Sequence, residues 1–427
     1  MSALAVAAIG FIQLLFEGYR WQLVPGYLLA ALLAVFAFTR VRPIVRPAWR
    51  IAGWAGGAAI AVLLPFLVPI PRLPVPDGPY AVGTTTVVLA DASRIETYGL
   101  PASDAPRLLP LHIWYPAAAS DEVAPGWLTP ATAAAVSAQY GLPGFFLDHL
   151  GLTATHAAVD VPVAPGTDRF PVVVYSHGWT GFGRISPDQP ERLASHGFVV
   201  VAPDHTYGAL VSDIPGGLVP YDPEALPDEE EVSENDYAAA SQKLVATFAG
   251  DIRFVFGSLA TLDPSGLGLG GRLDLERIGV YGHSTGGGAA VAACHEDDRC
   301  DAVLGFDPWV EPVGAEVIAD GLTQPFLALR SNEWVVGPND EVLTALHGAG
   351  AAPSELLALV GADHSDFVSL SQISPLAGAL GFKGPIPGDR AQEIIGSELV
   401  WFFDRYLRDI DREPPEFPEL RVDIERD

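Results

Sequence analysis

The chain has 427 residues, with 24 Lys and Arg against 52 Asp and Glu and only two cysteines. That length exceeds a single small domain and suits a catalytic domain with an added segment. A formal charge of −28 repels nucleic acid, so a nucleic-acid partner is excluded.

Mean hydropathy is nevertheless positive, and the apolar excess sits at the start. Apolar stretches run from Ala3 to Phe16, Leu23 to Phe38 and Ile51 to Ile70. The third is free of charge and long enough to cross a bilayer as a helix. The second suffices with Arg20 and Arg40 at the interfaces, and the first is short. A cleaved signal peptide would need a basic start and a small-residue cleavage site, but Glu17-Gly-Tyr-Arg-Trp follows instead. Tyr19, Trp21, Trp49 and Trp54 stand near segment ends, where amphipathic rings favour headgroups. Residues 1–72 are therefore expected as a membrane anchor of about three transmembrane helices. Arg40, Arg42, Arg46 and Arg50 crowd the loop before the third stretch. Positive loops stay cytoplasmic, which places everything after residue 72 on the extracytoplasmic side of the cell membrane.

Residues 1–72 hold six of the basic residues and one acidic one, leaving 18 against 51 for the rest. This reads as a solvated acidic surface. Prolines at 65, 69, 71, 74, 76 and 79 predict an extended, semi-rigid spacer, so residues 73–82 are read as a linker and 83–427 as the catalytic domain. Thr84–Leu89 and Leu108–Tyr115 read as early strands, and Phe170–Tyr175 and Phe198–Ala202 as buried strands around a helix at Pro190–His196. Pro223–Asp236 reads as an acidic loop, part of a candidate lid over 205–236, and Tyr237–Leu262 as a long helix. Further strands are expected at Arg277–Tyr281, Ala302–Phe306, Pro325–Leu329 and Leu356–Val360, with helices at Gly287–Cys294 and Ala391–Leu407. Continuous apolar strands between helices imply an α/β fold with a mostly parallel sheet covered on both faces. Cys294 and Cys300, the one cysteine pair, make a possible short-range disulfide.

Gly282-His-Ser-Thr-Gly is a G-x-S-x-G match between an apolar strand and a small-residue helix, the setting of a nucleophile elbow. Ser284 is the candidate nucleophile. His364, after a late strand, is the candidate base. His283 adjoins the nucleophile and points away from it, and His177 lies in a glycine turn where backbone is usually the working part. The remaining histidines read as loop or surface residues. An acid must orient the base. Asp307 and Glu333 both follow strands between the serine and His364, and Asp340 is a third option. Oxyanion donors are expected from the amides of Thr285 and Trp179. No metal or organic cofactor is needed by this chemistry.

At Tyr175-Ser-His-Gly-Trp, Leu193-Ala-Ser-His-Gly-Phe, Gly282-His-Ser-Thr-Gly-Gly, Phe306-Asp-Pro-Trp and His364-Ser-Asp-Phe, the chain resembles the plasma-type (group VII) platelet-activating-factor acetylhydrolases and their bacterial relatives. The resemblance implies an α/β-hydrolase fold and a calcium-independent hydrolase of short or oxidised acyl esters, including sn-2 phospholipid esters. It places the acid on the strand after the elbow helix, hence Asp307. Two features depart from that family: Thr285 replaces a bulkier apolar residue often found there, and a three-helix membrane anchor is not typical of the secreted enzymes. Other readings are a polyester or cutinase-like carboxylesterase, a membrane-bound transacylase and a receptor on a dead hydrolase fold. The intact triad residues oppose the last.

Overall fold

The computed structural model describes residues 3–39, 47–99, 105–120 and 124–426, which fall into two compact units. The first comprises the described part of residues 1–72 together with 126–154 and 372–380. The second takes in 73–125, 155–371 and 381–427. The two later segments of the first unit therefore leave the span 83–427 that the sequence reading kept as one domain.

In the first unit, α1 (Ala3–Glu17), α2 (Val24–Thr39) and α3 (Pro47–Leu67) present Phe11, Leu15, Leu28, Leu32, Ile60, Val62 and Phe66 outward. Pro65 lies within the last turn of α3, and the helix stops at Leu67, short of the Ile70 end expected. Its apolar stretch, Ile51–Leu67, is shorter than the ~20 residues a bilayer crossing asks for. Among the described residues, the helix that meets that length and composition is Glu234–Thr261, and it is mostly buried in the second unit. Arg40, Arg42 and Arg46 lie outside the described residues. The short turn Trp21–Leu23 joins α1 to α2. Its Trp21 indole donates to the Phe146 carbonyl at 2.8 Å and packs on the Phe145 and Phe146 rings. Segment 126–154 also carries α4 (Pro130–Gln139), started by Thr129, whose hydroxyl accepts from the Thr132 amide. The Ser374 hydroxyl donates to the last α3 carbonyl, that of Leu67, at 2.6 Å.

The second unit is built on a ten-stranded sheet. Its strands are β1 (Ala81–Ile95), β2 (Pro106–Ala117), β3 (Ala157–Val159), β4 (Phe170–Ser176), β5 (Val199–Pro203), β8 (Leu273–His283), β9 (Ala302–Phe306), β10 (Phe326–Arg330), β11 (Ser354–Leu359) and β12 (Leu420–Arg426), in the order β12-β11-β10-β9-β8-β4-β5-β2-β1-β3. β5, β4, β8, β9, β10 and β11 run parallel, and β2 and β12 flank them antiparallel. The central strands are apolar along their whole length because both faces are covered. On one face α6 (Glu234–Ser258) and α7 (Thr285–Glu296) pack Phe248, Ile252, Ala289 and Ala290 with Val172 and Val174. α5 (Asp188–Ser195) and α10 (Gly388–Arg408) pack together. Two short helices, α8 (Ala315–Asp320) and α9 (Pro338–Ala349), connect the later strands.

Three readings change. Residues 73–82 are not a free spacer: Leu73 is buried, Asp77 pairs with Arg192 at 2.9 Å, and the Gly78 amide donates to the Ser195 hydroxyl. The segment read as a loop over 205–236 contains a hairpin, β6 (Val211–Ile214) and β7 (Gly217–Pro220), turned at Pro215-Gly216, where Gly216 has a φ of 112°. α6 then starts at Glu234, inside the acidic run, where Ser233 caps it and Glu234 and Asp236 suit the positive end of the helix dipole. Cys294 and Cys300 form a disulfide, with Cα atoms 5.1 Å apart.

The sheet order sets where chemistry can occur. Strand succession runs from β4 to β5 in one direction and from β8 to β9 in the other. Ligand crevices open at such a reversal, beyond the carboxyl ends of the strands. β4 and β8 pair with Ser176 opposite Gly282, so the turns after both strands emerge side by side.

Candidate active site

Ser284 lies between β8 and α7 with φ 56° and ψ −122°, a conformation costly for any residue with a Cβ. Its surroundings over-determine it. The Ser284 amide donates to the Phe306 carbonyl, while its own carbonyl accepts from the amides of Gly287, Gly288 and Trp309. The glycines around it are steric requirements. A Cβ on Gly282 would stand 2.3 Å from the Gly286 carbonyl oxygen, one on Gly286 2.1 Å from that of Ser176, and one on Gly288 2.0 Å from that of Trp309. The tight strand–turn–helix thus fits only this small-residue pattern, and it leaves the Ser284 side partly open.

Asp307 follows β9 directly and is fully buried. Its Oδ1 accepts from the Ser331 amide at 2.6 Å, and its Oδ2 lies 2.9 Å from His364 Nδ1. Burial pushes its carboxyl upward, against the hydrogen bonding from Ser331. Glu333 is exposed and affects His364 only through its field. Asp340 is taken up by an ion pair with Arg330. The structure therefore brings Asp307 to His364 and leaves the two rivals elsewhere.

His364 opens a short 3₁₀ turn after β11. Asp366 shapes that turn, accepting from the amides of Asp363 and Gly384, and Phe367 stacks on Phe306 at 5.2 Å. The imidazole lies parallel to the Trp334 ring at 4.8 Å, with the His283 ring 4.4 Å away. His283 Nε2 donates to the His364 carbonyl at 3.1 Å. Burial lowers His364 to about 4, so its ring is neutral and able to accept a proton at pH 7. Trp334 and His283 were not read as site residues. Their signal was position alone, beside an acid candidate and beside the nucleophile.

On the neighbouring strand end, a Cβ on Gly178 would stand 3.1 Å from Ser284 Cβ, so the turn Ser176–Gly181 lies against the serine. Among the described residues, the amides of Trp179 and Thr285 meet no acceptor. For Thr285 this follows from its place in the first helical turn. The Trp179 ring packs edge-on against Tyr221 at 5.7 Å.

Two histidines depart from the sequence reading. His177 is fully buried and its imidazole is engaged at both nitrogens. His205, read as a loop or surface residue, is fully buried beside it, bonded to Ser176 and Asp251. Burial lowers both, His177 to about 3.

A serine held in a strained turn at the reversal point of a mostly parallel sheet, with a histidine and a carboxylate arriving from later strand ends, defines an α/β-hydrolase. A solved ferulic acid esterase from Streptomyces cinnamoneus has the same fold: TM-score 0.69 at 28% identity, over 83% of this chain and 100% of that one. The model of the family described as platelet-activating factor acetylhydrolase, isoform II, matches residues 69–211 and 266–416. The platelet-activating factor acetylhydrolase of Cavia porcellus is 25% identical over 351 residues, 78% of each chain. That of Canis lupus familiaris is 23% identical over 362 residues, 79% of this chain and 77% of its own. The chain belongs to the platelet-activating factor acetylhydrolase isoform II family, and it is a carboxylic ester hydrolase.

Proposed function

We propose that this chain hydrolyses short or oxidised acyl esters of lipids through an acyl-enzyme on Ser284. The observation that carries the reading is the 2.9 Å pair of Asp307 Oδ2 and His364 Nδ1 beside the strained Ser284 turn, in a chain whose relatives are platelet-activating factor acetylhydrolases. Ser284 Oγ attacks the ester carbonyl carbon as His364 takes its proton on Nε2. Asp307 fixes the tautomer by accepting from Nδ1–H. The carbonyl oxygen becomes an oxyanion between the amides of Trp179 and Thr285. The tetrahedral adduct collapses, the alcohol leaves with the proton from His364, and the acyl group stays on Oγ. Water, deprotonated by His364, then repeats the attack and releases the acid.

An alkyl fluorophosphonate tests this chemistry: its adduct should map to Ser284 by peptide mass. The reaction needs neutral His364, whose folded value is lowered to about 4. The labelling rate should therefore fall on acidification, as the bonded Asp307–His364 pair takes up a proton and the base is lost. Label on a residue other than Ser284 would contradict the reading.

The location is part of the proposal. The three N-terminal helices are read as a bilayer anchor with the hydrolase outside the cytoplasm. Their outward apolar side chains support this, as do exposed Tyr140, Leu142, Phe145, Leu376 and Leu380 on the segments that join the same unit. The Cys294–Cys300 disulfide suits an oxidising compartment. The protein should resist alkaline extraction from membranes and be digested by protease added outside intact cells. Release by carbonate, or full protection in intact cells, would refute it.

A further inference from the structure

Behind the oxyanion turn lies a second Ser–His–Asp chain that no substrate reaches. Ser176, His205 and Asp251 are each fully buried. Ser176 Oγ is 2.9 Å from His205 Nε2, and His205 Nδ1 is 2.9 Å from Asp251 Oδ2. Arg107 grips Asp251 through Nε and Nη2 at 2.7 and 2.8 Å, and holds its carboxyl below the usual range despite burial. Asp251 is thus the acceptor for His205 Nδ1–H, which leaves Nε2 to accept from the Ser176 hydroxyl. Phe248 stacks on the His205 ring at 3.8 Å and meets the His177 ring edge-on.

This block is tied to the oxyanion turn. The His205 amide donates to His177 Nε2 at 3.0 Å, so neutral His177 carries its proton on Nδ1. That Nδ1–H donates to the Gly178 carbonyl at 2.7 Å, and the Gly181 amide donates to the same oxygen at 2.9 Å. The main chain adds two cross-links, Thr180 amide to Gly208 carbonyl and Leu210 amide to Gly181 carbonyl. The Gly178 carbonyl and the Trp179 amide belong to one peptide group. In a planar trans peptide, C=O and N–H point opposite ways. The hydrogen bonds from His177 and Gly181 fix the direction of this carbonyl and therefore aim the Trp179 N–H the opposite way.

We propose that His177 and His205 are positioning residues, which hold the Trp179 amide in the direction the oxyanion requires. This rests on the oxyanion role given to Trp179 above. A buried relay suits the task because a preorganised donor costs no reorganisation during reaction.

The test uses the full chain, with a soluble short-acyl ester and a trifluoromethyl ketone as tetrahedral mimic. His177→Ala should lower kcat about 30-fold, less than the ~10²–10³ that loss of a whole oxyanion donor costs, with KM unchanged. Ketone affinity should weaken in parallel with kcat/KM. His177→Asn places an amide N–H near the old Nδ1 and should restore kcat to within about fivefold of wild type. His205→Gln, which keeps an acceptor for Ser176 but loses the Asp251 pair, should lower kcat about tenfold, again without a KM change. Rates are expressed per Ser284 labelled by fluorophosphonate, which removes any misfolded fraction. Wild-type kcat per labelled site in His177→Ala, or a loss that Asn does not recover, would overturn the proposal. Absence of Ser284 labelling in the wild type would instead overturn the underlying site assignment.

Discussion

Asp307→Asn is expected to lower kcat by about 10³–10⁴-fold, whereas Glu333→Gln should leave it within about threefold. Both carboxylates follow strands between Ser284 and His364, so sequence position does not separate them. Geometry does. Asp307 Oδ2 is 2.9 Å from His364 Nδ1, and its other oxygen is fixed by the Ser331 amide. An amide in place of that carboxylate can present N–H to Nδ1, which forces the wrong tautomer and leaves Nε2 protonated and unable to accept from serine. Glu333 is solvent-exposed, and its removal takes away only a weak field that raises His364. Steady-state kcat of the two variants on one ester decides the matter. Comparable turnover in Asp307→Asn and the wild type would sink the assignment.

The second large effect concerns Ser284. Ser284→Ala should lower kcat by about 10⁵–10⁶-fold, since triad members act as a unit and little remains once the nucleophile is gone. Ser284→Gly should lose activity equally but unfold at higher temperature than Ser284→Ala, by about 1 kcal/mol in stability. The reason is the backbone: φ 56°, ψ −122° strains any residue with a Cβ by ~1–3 kcal/mol, and glycine relieves it while losing some back to unfolded-chain entropy. Thermal unfolding of the two variants measures the difference. Equal or reversed stabilities would show that the turn stores no strain, and that its geometry is imposed without cost.

The exchange of stability for reactivity at Ser284 is local, and that is why it was readable. A glycine pattern between an apolar strand and a small-residue helix reports a close-packed turn wherever it occurs, and the structure supplies the contacts that forbid a Cβ at 282, 286 and 288. His364 was equally legible, because chain order and a strand before it leave few choices. The expected central strands all appear: Phe170–Tyr175 and Arg277–Tyr281 lengthen, Ala302–Phe306 is unchanged, and the other three shift by one or two residues. The hairpin β6–β7, helix α9 and the edge strand β12 were not legible, since their short patterns gain stability only from the surface they cover.

Local pattern along the chain is enough for the parallel sheet, the elbow at Ser284, the histidine that follows and the apolar character of the first helices. These depend on periodicity and on steric rules within a few residues of chain. The family resemblance pointed to Asp307, and the fold brings it rather than Glu333 to His364; only the fold showed that His177 and His205 belong to a buried relay under the oxyanion turn. It also decided that 126–154 and 372–380 join the N-terminal helices in one unit. Each of these is a meeting of residues far apart in the chain. Strand order and register decide such meetings, and no local pattern encodes either.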